Sequence, residues 1–308
     1  MTTAIIDLGT NTCNLLVAGT GNGKYRILYQ GKEVVKLGDR SINQNIISSK
    51  AIERTVIALQ NHQETIGKYQ VDKVKVIATS AVRTAKNQDE FIKKILKGTG
   101  FEVEVISDKR EAELIYKGVI LAFGNLPENS LSLDIGGGSN ELIISGNEGI
   151  KWKGSFPAGM SRVINQFHIS DPIKGAEVKN LVSYFEKAHE AAWEMCSQYP
   201  GDTLIGCSGA FDTIADIIDQ VDPGKKVRVN QKIELGDFHE VYRQLLFSTK
   251  TERGGMKGMD PVRTELIVPA VILINSILEK TGITEIFQTD YALREGVLSE
   301  SFGNNPLI

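Results

Sequence analysis

The sequence predicts an α/β protein in which one domain plan occurs twice. The first observation is "LSLDIGGGSNEL" (131–142), where three glycines stand after an aspartate inside a run of strand character. Glycine weakens a strand interior, so a triplet implies a tight turn whose amides come close to something, most often phosphate. The second is an internal repeat: "DLGTNTCNLLVAGTGNGKYR" from Asp7 aligns without gaps on "DIGGGSNELIISGNEGIKWK" from Asp134. Asp7 matches Asp134, Gly9 matches Gly136, Leu15 matches Leu142, Gly19 matches Gly146 and Lys24 matches Lys151. The third is the pattern downstream of each copy, where apolar strands alternate with segments of helical spacing. The offset of 127 residues (134 minus 7) is too long for a solenoid and predicts a duplicated domain, each half opening with an antiparallel β-meander.

The bulk properties fit. A chain of 308 residues holds two domains with substantial cores, and 41% hydrophobic with 24% charged residues is ordinary for a globular protein. No apolar run approaches the ~20 residues of a membrane span, and the N-terminus runs directly into a strand pattern rather than a signal peptide. A cytoplasmic protein without membrane or nucleic-acid partners is expected. Cys13, Cys196 and Cys207 are odd in number and lack metal spacing, so they read as reduced thiols. The four histidines are scattered, which argues against a His-built metal site. A net charge of −3 gives no global attraction to polyanions, so an anionic substrate would need a local positive field.

Past the first meander, "SSKAIERTVIALQNHQETIGKY" is a helix with a serine N-cap, and "VDKVKVIATSAVRTAKN" is a strand entering a polar turn that carries Arg83. "DEFIKKILKGTG" is a helix stopped by glycine, "FEVEVI" a strand and "KREAELIYKGVILAFG" a helix. On that helix Glu111, Ile115 and Gly118 share one face, which sets Glu111 toward the apolar side. A boundary near "FGNLPENSL" (123–131) divides the chain into 1–125 and 126–308, with a final helix at 291–302 that could pack back on the first domain. In the second half "NLVSYFEKAHEAAWEMCSQY" is one amphipathic helix and "TLIGCSGAFDTIADIID" a strand, a Ser-Gly turn and a helix. "RTELIVPAVILINSILEK" is a buried helix with Pro269 as a kink or a start, and "TDYALREGVLSESF" closes the chain. The apolar stretch 265–278 goes to a domain core, with a homodimer interface as the alternative. "PGKKVRV" reads as a solvated loop and is the only local basic cluster of that half.

The repeated hairpins suggest chemistry. In each turn, Thr10, Asn11 and Thr12 or Gly136, Gly137, Gly138 and Ser139, backbone amides and hydroxyls can face phosphate oxygens. Asp7 and Asp134 can hold a hard cation bridging the same phosphates. Arg83, just past a strand's C-terminal end, suits phosphate bidentately. Ser208 and Gly209 open a helix N-terminus, a ready anion seat. Glu111 is a general-base candidate if its helix start meets the substrate. Duplicated structural hairpins are the plainer alternative.

Six segments in order, "IIDLGTNTCNLLVA", "IATSAVRTAKN", "ISDKREAELIYKGV", "LSLDIGGGSNELII", "GCSGAFDTIADI" and "TDYALREGVL", resemble the successive motifs of the exopolyphosphatase/guanosine-pentaphosphate phosphohydrolase family. The resemblance runs from residue 4 to about 298. It implies two duplicated ribonuclease-H-like domains of the actin, Hsp70 and sugar-kinase superfamily around an interdomain cleft, with the active site between the two Asp–Gly hairpins. It also implies the short form that lacks a C-terminal HD-type domain. By the same resemblance Asp134 is the magnesium-associated aspartate, with Glu141 the acidic residue seven positions on, and Glu111 activates the attacking water. Arg83 and the Gly136–Ser139 loop then hold terminal phosphates, and Mg²⁺ or another hard divalent cation takes up charge. The implied activity is hydrolysis of terminal phosphate from inorganic polyphosphate, with the 5′-phosphate of guanosine pentaphosphate as the alternative substrate. A kinase or filament module and a silent nucleotide sensor are more distant readings. The chain departs from the family at "REAE" (110–113), where Arg110 and Glu113 exchange the usual charges, and at Asn140, where threonine is common.

Overall fold

The computed structural model describes residues 1–21, 23–39, 42–207 and 209–301. The chain divides into two compact units, one formed by Met1–Gly124 with the segment from Leu293 onward, the other by Asn125–Ala292.

In unit 1, strands β1 (Thr2–Leu8), β2 (Thr12–Gly21) and β3 (Lys24–Val34) form the meander, followed by helix α1 (Ser49–Ile66) and β4 (Lys73–Ala78). Next come α2 (Ser80–Arg83), α3 (Gln88–Thr99), β5 (Val103–Val105) and α4 (Asp108–Phe123). The sheet order is β3-β2-β1-β4-β5, antiparallel through the meander and parallel from β1 to β4 to β5. Ser48 caps α1 by accepting the Ala51 N–H, and Ser107 caps α4 by accepting the Arg110 N–H at 3.2 Å. The turn expected around Arg83 is itself the short helix α2, with Arg83 at its end.

Unit 2 opens with β6 (Ser130–Ile135), β7 (Asn140–Gly146) and β8 (Gly149–Phe156), then α5 (Met160–Gln166), α6 (Gly175–Ala188) and α7 (Glu190–Gln198). The expected single amphipathic helix is therefore two. His189 leaves the helical region (φ −110°, ψ 22°), and its buried ring bonds the Phe185 carbonyl through Nδ1 at 2.9 Å and packs 4.7 Å from the Phe156 ring. Burial pushes its pKa down to about 4, so the imidazole is neutral. The unit continues with β9 (Thr203–Cys207), α8 (Ala210–Asp219), β10 (Gln231–Ile233), α9 (Leu235–Phe247), α10 (Lys250–Gly255), α11 (Ile267–Thr281) and β11 (Glu285–Thr289). Its sheet runs β10-β11-β9-β6-β7-β8. Taken from the β8 edge, β8-β7-β6-β9-β11 repeats the order and strand directions of β3-β2-β1-β4-β5, and β10 is the added edge.

The duplication extends to irregularities. The β2–β3 ladder shifts register between Val17 and Ala18, and the β7–β8 ladder between Ile144 and Ser145, the same two positions of the repeat. Helix α11 is rich in Ile and Val, poor helix formers in isolation, yet Ile267–Leu278 are all buried in the core of unit 2. Packing thus outweighs propensity, at about 1.5–3 kcal/mol for each large side chain removed from water. Pro269 stands in the first turn, where its missing N–H leaves no gap in the helix.

Helix α12 (Leu293–Ser299) belongs to unit 1 and lies on α4. A Cβ on Gly296 would come within 1.8 Å of the Leu114 carbonyl oxygen, so the two helices cross backbone to backbone. Arg110 and Lys117 of α4 both pair with Glu300 at 2.5 Å, and Arg110 also lies 3.8 Å from Glu113. The charge exchange in "REAE" is thereby accounted for: Arg110 clasps the end of α12 while its neighbour Glu111 turns inward. Among the described residues no helix is long and apolar enough to cross a membrane, and Cys13, Cys196 and Cys207 form no disulfide.

Candidate functional site

The two hairpin loops are built alike. The Gly136 N–H donates to the Ser139 carbonyl at 3.0 Å, as the Gly9 N–H does to the Thr12 carbonyl at 3.0 Å. A Cβ on Gly136 would sit 2.7 Å from that Ser139 oxygen, so closing the turn requires glycine there. Beyond the turn, the loop carbonyls are held from one side. Gly136 O accepts the Met160 N–H at 3.0 Å, Gly137 O accepts the Ser161 N–H at 2.9 Å, and Gly138 O accepts Arg162 Nε at 2.9 Å. The N-terminal amides that α5 would leave unpaired are thus used on the loop. Gly159 makes this approach feasible, since a Cβ there would meet the Gly137 and Gly138 backbone at 2.5 Å. In unit 1 the same task falls to the chain after β3: Asn11 O accepts the Val35 and Lys36 N–H groups at 2.9 and 3.0 Å, and Thr10 O accepts the Gly38 N–H at 3.2 Å.

A peptide unit that turns its C=O to one side turns its N–H to the other. Among the described residues neither the Gly137 nor the Gly138 N–H has a backbone acceptor. The pinned carbonyls therefore leave successive amides presented outward, the arrangement that binds anions. Thr10 and Ser139 are buried in their turns, and the Thr12 hydroxyl accepts from Asn14 Nδ2 at 3.2 Å. Asn140, which stands where threonine is common in the family, is fully buried, and its Nδ2 donates to the Ala158 carbonyl at 2.8 Å and lies 3.5 Å from His189 Nε2. It holds the segment entering α5.

Aspartates end the first strand of each meander. Asp134 and Glu141 are direct cross-strand partners and so share one face of the sheet, and the Ser155 hydroxyl donates to Glu141 Oε1 at 2.7 Å. In unit 1 the corresponding partners are Asp7 and Asn14, whose Nδ2 donates to Asp7 Oδ2 at 3.4 Å. Burial pushes Asp7 up to about 6, against the opposing pull of Arg294 and Asn14, while Glu295 adds to the rise. Arg294 and Glu295 come from α12, so the "ALREGV" segment, which holds none of the expected site residues, faces the first aspartate. An all-oxygen carboxylate pair suits a hard divalent cation bound by one or two carboxylates plus substrate phosphate. Among the described residues no group of three or more His, Cys, Asp or Glu comes together.

Arg83 and Glu111 come together. Arg83 Nη1 donates to Glu111 Oε2 at 2.7 Å and to the Ile106 carbonyl at 3.1 Å. Glu111 is buried in the first turn of α4, and Arg83 is partly exposed. The strand order makes the pairing: β4 and β5 are parallel neighbours, so the segments leaving their C-terminal ends start side by side.

In unit 2, Ser208 lies outside the described residues, and Gly209 (φ +44°) opens α8. The Arg263 guanidinium packs over Gly209, where an added Cβ would be 2.0 Å from Nη2. Arg263 carries no signal in the sequence, because "PVRTEL" has no pattern that marks it. The basic stretch "PGKKVRV" is largely exposed as expected, except that Arg228 is buried, donating to Asp216 Oδ1 at 2.7 Å and Asp219 Oδ2 at 2.6 Å, while exposed Lys226 pairs with Asp219 at 2.7 Å.

A model of the Ppx/GppA phosphatase family matches residues 16–305. The chain is 31% identical over 315 residues to a bifunctional 3-dehydroquinate synthase/phosphatase of Fusobacterium nucleatum, covering 98% of this chain and 46% of that protein. It thus spans less than half the length of that relative. It is 28% identical to a putative exopolyphosphatase of Haemophilus influenzae, covering 96% of this chain and 90% of that one. Against a guanosine-5′-triphosphate,3′-diphosphate pyrophosphatase of Aeromonas hydrophila the identity is 27%, with 98% and 60% covered. The crystal structure of an exopolyphosphatase from Cytophaga hutchinsonii superposes with a TM-score of 0.94 at 34% identity, covering 98% of both chains. With two sheets of ribonuclease-H-like order and a family match over nearly its whole length, the chain belongs to the Ppx/GppA phosphatase family.

Proposed function

We propose that the protein is an exopolyphosphatase that releases orthophosphate from the end of an inorganic polyphosphate chain by attack of water. The observation that carries the reading is the glycine loop of β6–β7, with its carbonyls pinned by α5 and its Gly137 and Gly138 amides turned outward. Such amides hold phosphate oxygens and need no reorganisation as charge moves in the transition state.

Each residue's role is set by its chemistry. In unit 2 the Gly136–Ser139 loop holds a terminal phosphoryl group, with Ser208 and Gly209 seating a further phosphate. In unit 1 the Thr10–Thr12 loop offers its amides and hydroxyls to phosphate, and Arg83 supplies a guanidinium that is already oriented by Ile106 O and Glu111. Glu111 orients the attacking water and accepts its proton, and its bond to Arg83 fixes which way the carboxylate faces. In unit 2 Asp134 and Glu141, cross-strand partners, would hold Mg²⁺ or a similar divalent ion. When bound, that ion would neutralise charge on the phosphate oxygens.

Guanosine pentaphosphate is the second reading, favoured by the burial of Arg228 and the pairing of Lys226. These reduce the positive charge that the basic stretch offers to a long polyanion. Orthophosphate release measured side by side from long polyphosphate, tripolyphosphate, guanosine pentaphosphate and ATP, with and without Mg²⁺, tests both. Release from polyphosphate is expected, with short chains favoured. Release from guanosine pentaphosphate alone would replace the first reading with the second, and release from none would sink both.

A further inference from the structure

The stretch "STKTERGG" (248–255) carries two basic residues that the proposed hydrolysis does not use. Thr249 caps α10 with a reciprocal pair: its hydroxyl accepts the Glu252 N–H at 3.2 Å, and Glu252 Oε2 accepts the Thr249 N–H at 2.7 Å. The turn so fixed leaves Lys250 exposed and carries Arg253 inward, where it is buried. Both line a cavity of about 400 Å³ within unit 2, inside the ~300–1,000 Å³ range of small-molecule sites. Much of the remaining wall is apolar, from Phe167, Ile169 and Ile173 after α5 and Val268 in α11. The Phe167 ring is held edge-on by Tyr184, with 4.9 Å between ring centres.

The hydrogen-bond inventory around this cavity is weighted toward donors. A guanidinium has five N–H hydrogens. Arg253 gives one from Nε to Thr264 O at 3.0 Å, one from Nη1 to Ser248 O at 2.5 Å and one from Nη2 to Asp171 Oδ1 at 3.0 Å. The other two, one on each Nη, have no acceptor among the described residues, on a side chain only 7% exposed. Asp171 is already committed, since both its oxygens accept the Lys250 N–H at 2.8 Å besides the bond from Arg253. Lys250 Nζ pairs with Glu265, but both side chains are more than half exposed, so that pair is weak and opens at little cost.

We propose that this cavity binds a small apolar monocarboxylate, its carboxylate taken by Arg253 and Lys250 and its hydrocarbon body laid on Phe167, Ile169, Ile173 and Val268. Charge-assisted bonds from a planar guanidinium favour a carboxylate, and the apolar wall buries the rest of the ligand. A polyanion does not fit. Asp171 and Glu265 stand beside the two cations and repel further negative charge, and the apolar wall offers nothing to a row of charged oxygens. A ligand cation would find only Glu265, because Asp171 is committed. The assignment stands on unit 2 alone and does not depend on the hydrolase reading.

Hydrocinnamate and its neutral counterpart, hydrocinnamyl alcohol, share a hydrocarbon body and differ in the headgroup, so they are the probes. Their affinities for the full-length protein are measured by calorimetry, with thermal melting to confirm that each variant folds. Hydrocinnamate is expected to saturate a single site, with the alcohol weaker by on the order of tenfold or more, the worth of charge-assisted bonds. Ile173→Trp fills the cavity from a half-buried position and should abolish binding of the acid, while Lys250→Ala should weaken it severalfold. Arg253→Lys keeps the charge but loses the fork, and should bring the acid down to the level of the alcohol. Equal binding of acid and alcohol overturns the proposal, as does the absence of saturable binding by the acid. Wild-type affinity in a folded Ile173→Trp protein overturns it too, because the acid then binds elsewhere. If Ile173→Trp does not fold, Ile169→Trp is read by the same criterion.

Discussion

Substituting Gly159 tests whether the glycine loop is shaped from behind by α5. Its φ of −64° suits alanine, so Gly159→Ala carries no backbone strain, and the reduced freedom of the unfolded chain would by itself stabilise by about 0.4–1 kcal/mol. The added Cβ, however, would meet the backbone of Gly137 and Gly138 at 2.5 Å, where ordinary contact begins at 3.4 Å. The loop and α5 must therefore separate by about 0.9 Å (3.4 minus 2.5), and backbone cannot swing aside as a side-chain tip would. The 2.9 and 3.0 Å bonds from Ser161 and Met160 would stretch toward or beyond ~3.5 Å and weaken. Overpacking of this kind costs about 1–3 kcal/mol, leaving a net loss of roughly 1–2 kcal/mol. A phosphate cradle displaced by close to 1 Å should lower orthophosphate release by about a hundredfold. Thermal melting and steady-state hydrolysis measured together provide the assay. Gly175→Ala, at the open start of α6 with nothing within 4 Å, is the control expected to be neutral. If Gly159→Ala kept activity within about threefold of wild type, the loop would not depend on this packing, and the reasoning from misplaced geometry would fail.

Other residues give equally direct tests. Glu111→Gln keeps an oxygen for Arg83 but loses the charge, so kcat should fall by about 10²–10⁴ with KM changed only severalfold, read by steady-state kinetics. Asp134→Asn should raise the Mg²⁺ concentration needed for half-maximal activity, and unchanged Mg²⁺ dependence would remove it from the cation's ligands. Gly296→Ala, with its Cβ 1.8 Å from the Leu114 oxygen, should destabilise unit 1 by more than about 3 kcal/mol in chemical denaturation. Asp212 has a folded-state pKa raised from 3.8 to about 7, so its contribution to stability is full below about pH 4 and is lost as pH rises toward 7. Asp212→Asn should remove roughly 2 kcal/mol of that decline, about half the full shift because the side chain is partly exposed, and denaturation at two pH values would detect it.

The parts of the structure legible in the sequence are those written by neighbouring residues. The Asp7 and Asp134 hairpins align directly because each turn and its two strands lie within about twenty residues, and their common bulge comes with them. The helix caps at Ser48 and Ser107 and the start at Pro269 are equally local. The hidden parts depend on strand order. Arg83 meets Glu111 because β4 and β5 are parallel neighbours, and Asp212 meets Gln288, 76 positions away, because β9 and β11 are. The break at His189 leaves no mark in the sequence because helical spacing is good on both sides, and only burial of the imidazole against Phe156 and Phe185 favours leaving the helix there. Arg228 reads as solvated because its partners, Asp216 and Asp219, lie on the preceding helix with a loop folded back over them.

The placement of α12 on α4 has a consequence for synthesis. Unit 2 is one uninterrupted stretch of chain, and its core is complete once Ala292 has been made. Unit 1 is begun first but finished last: the backbone seat at Leu114, and the charged face of Arg110 and Lys117, stay open until Gly296 and Glu300 emerge. On a ribosome the first-made half is thus an unfinished guest of the second, and a chain stopped after unit 2 would carry a whole second unit beside a first with an exposed helix face. Asp7 would then lack the Arg294 and Glu295 that surround it, so the earliest candidate site residue in the chain is the last to acquire its environment.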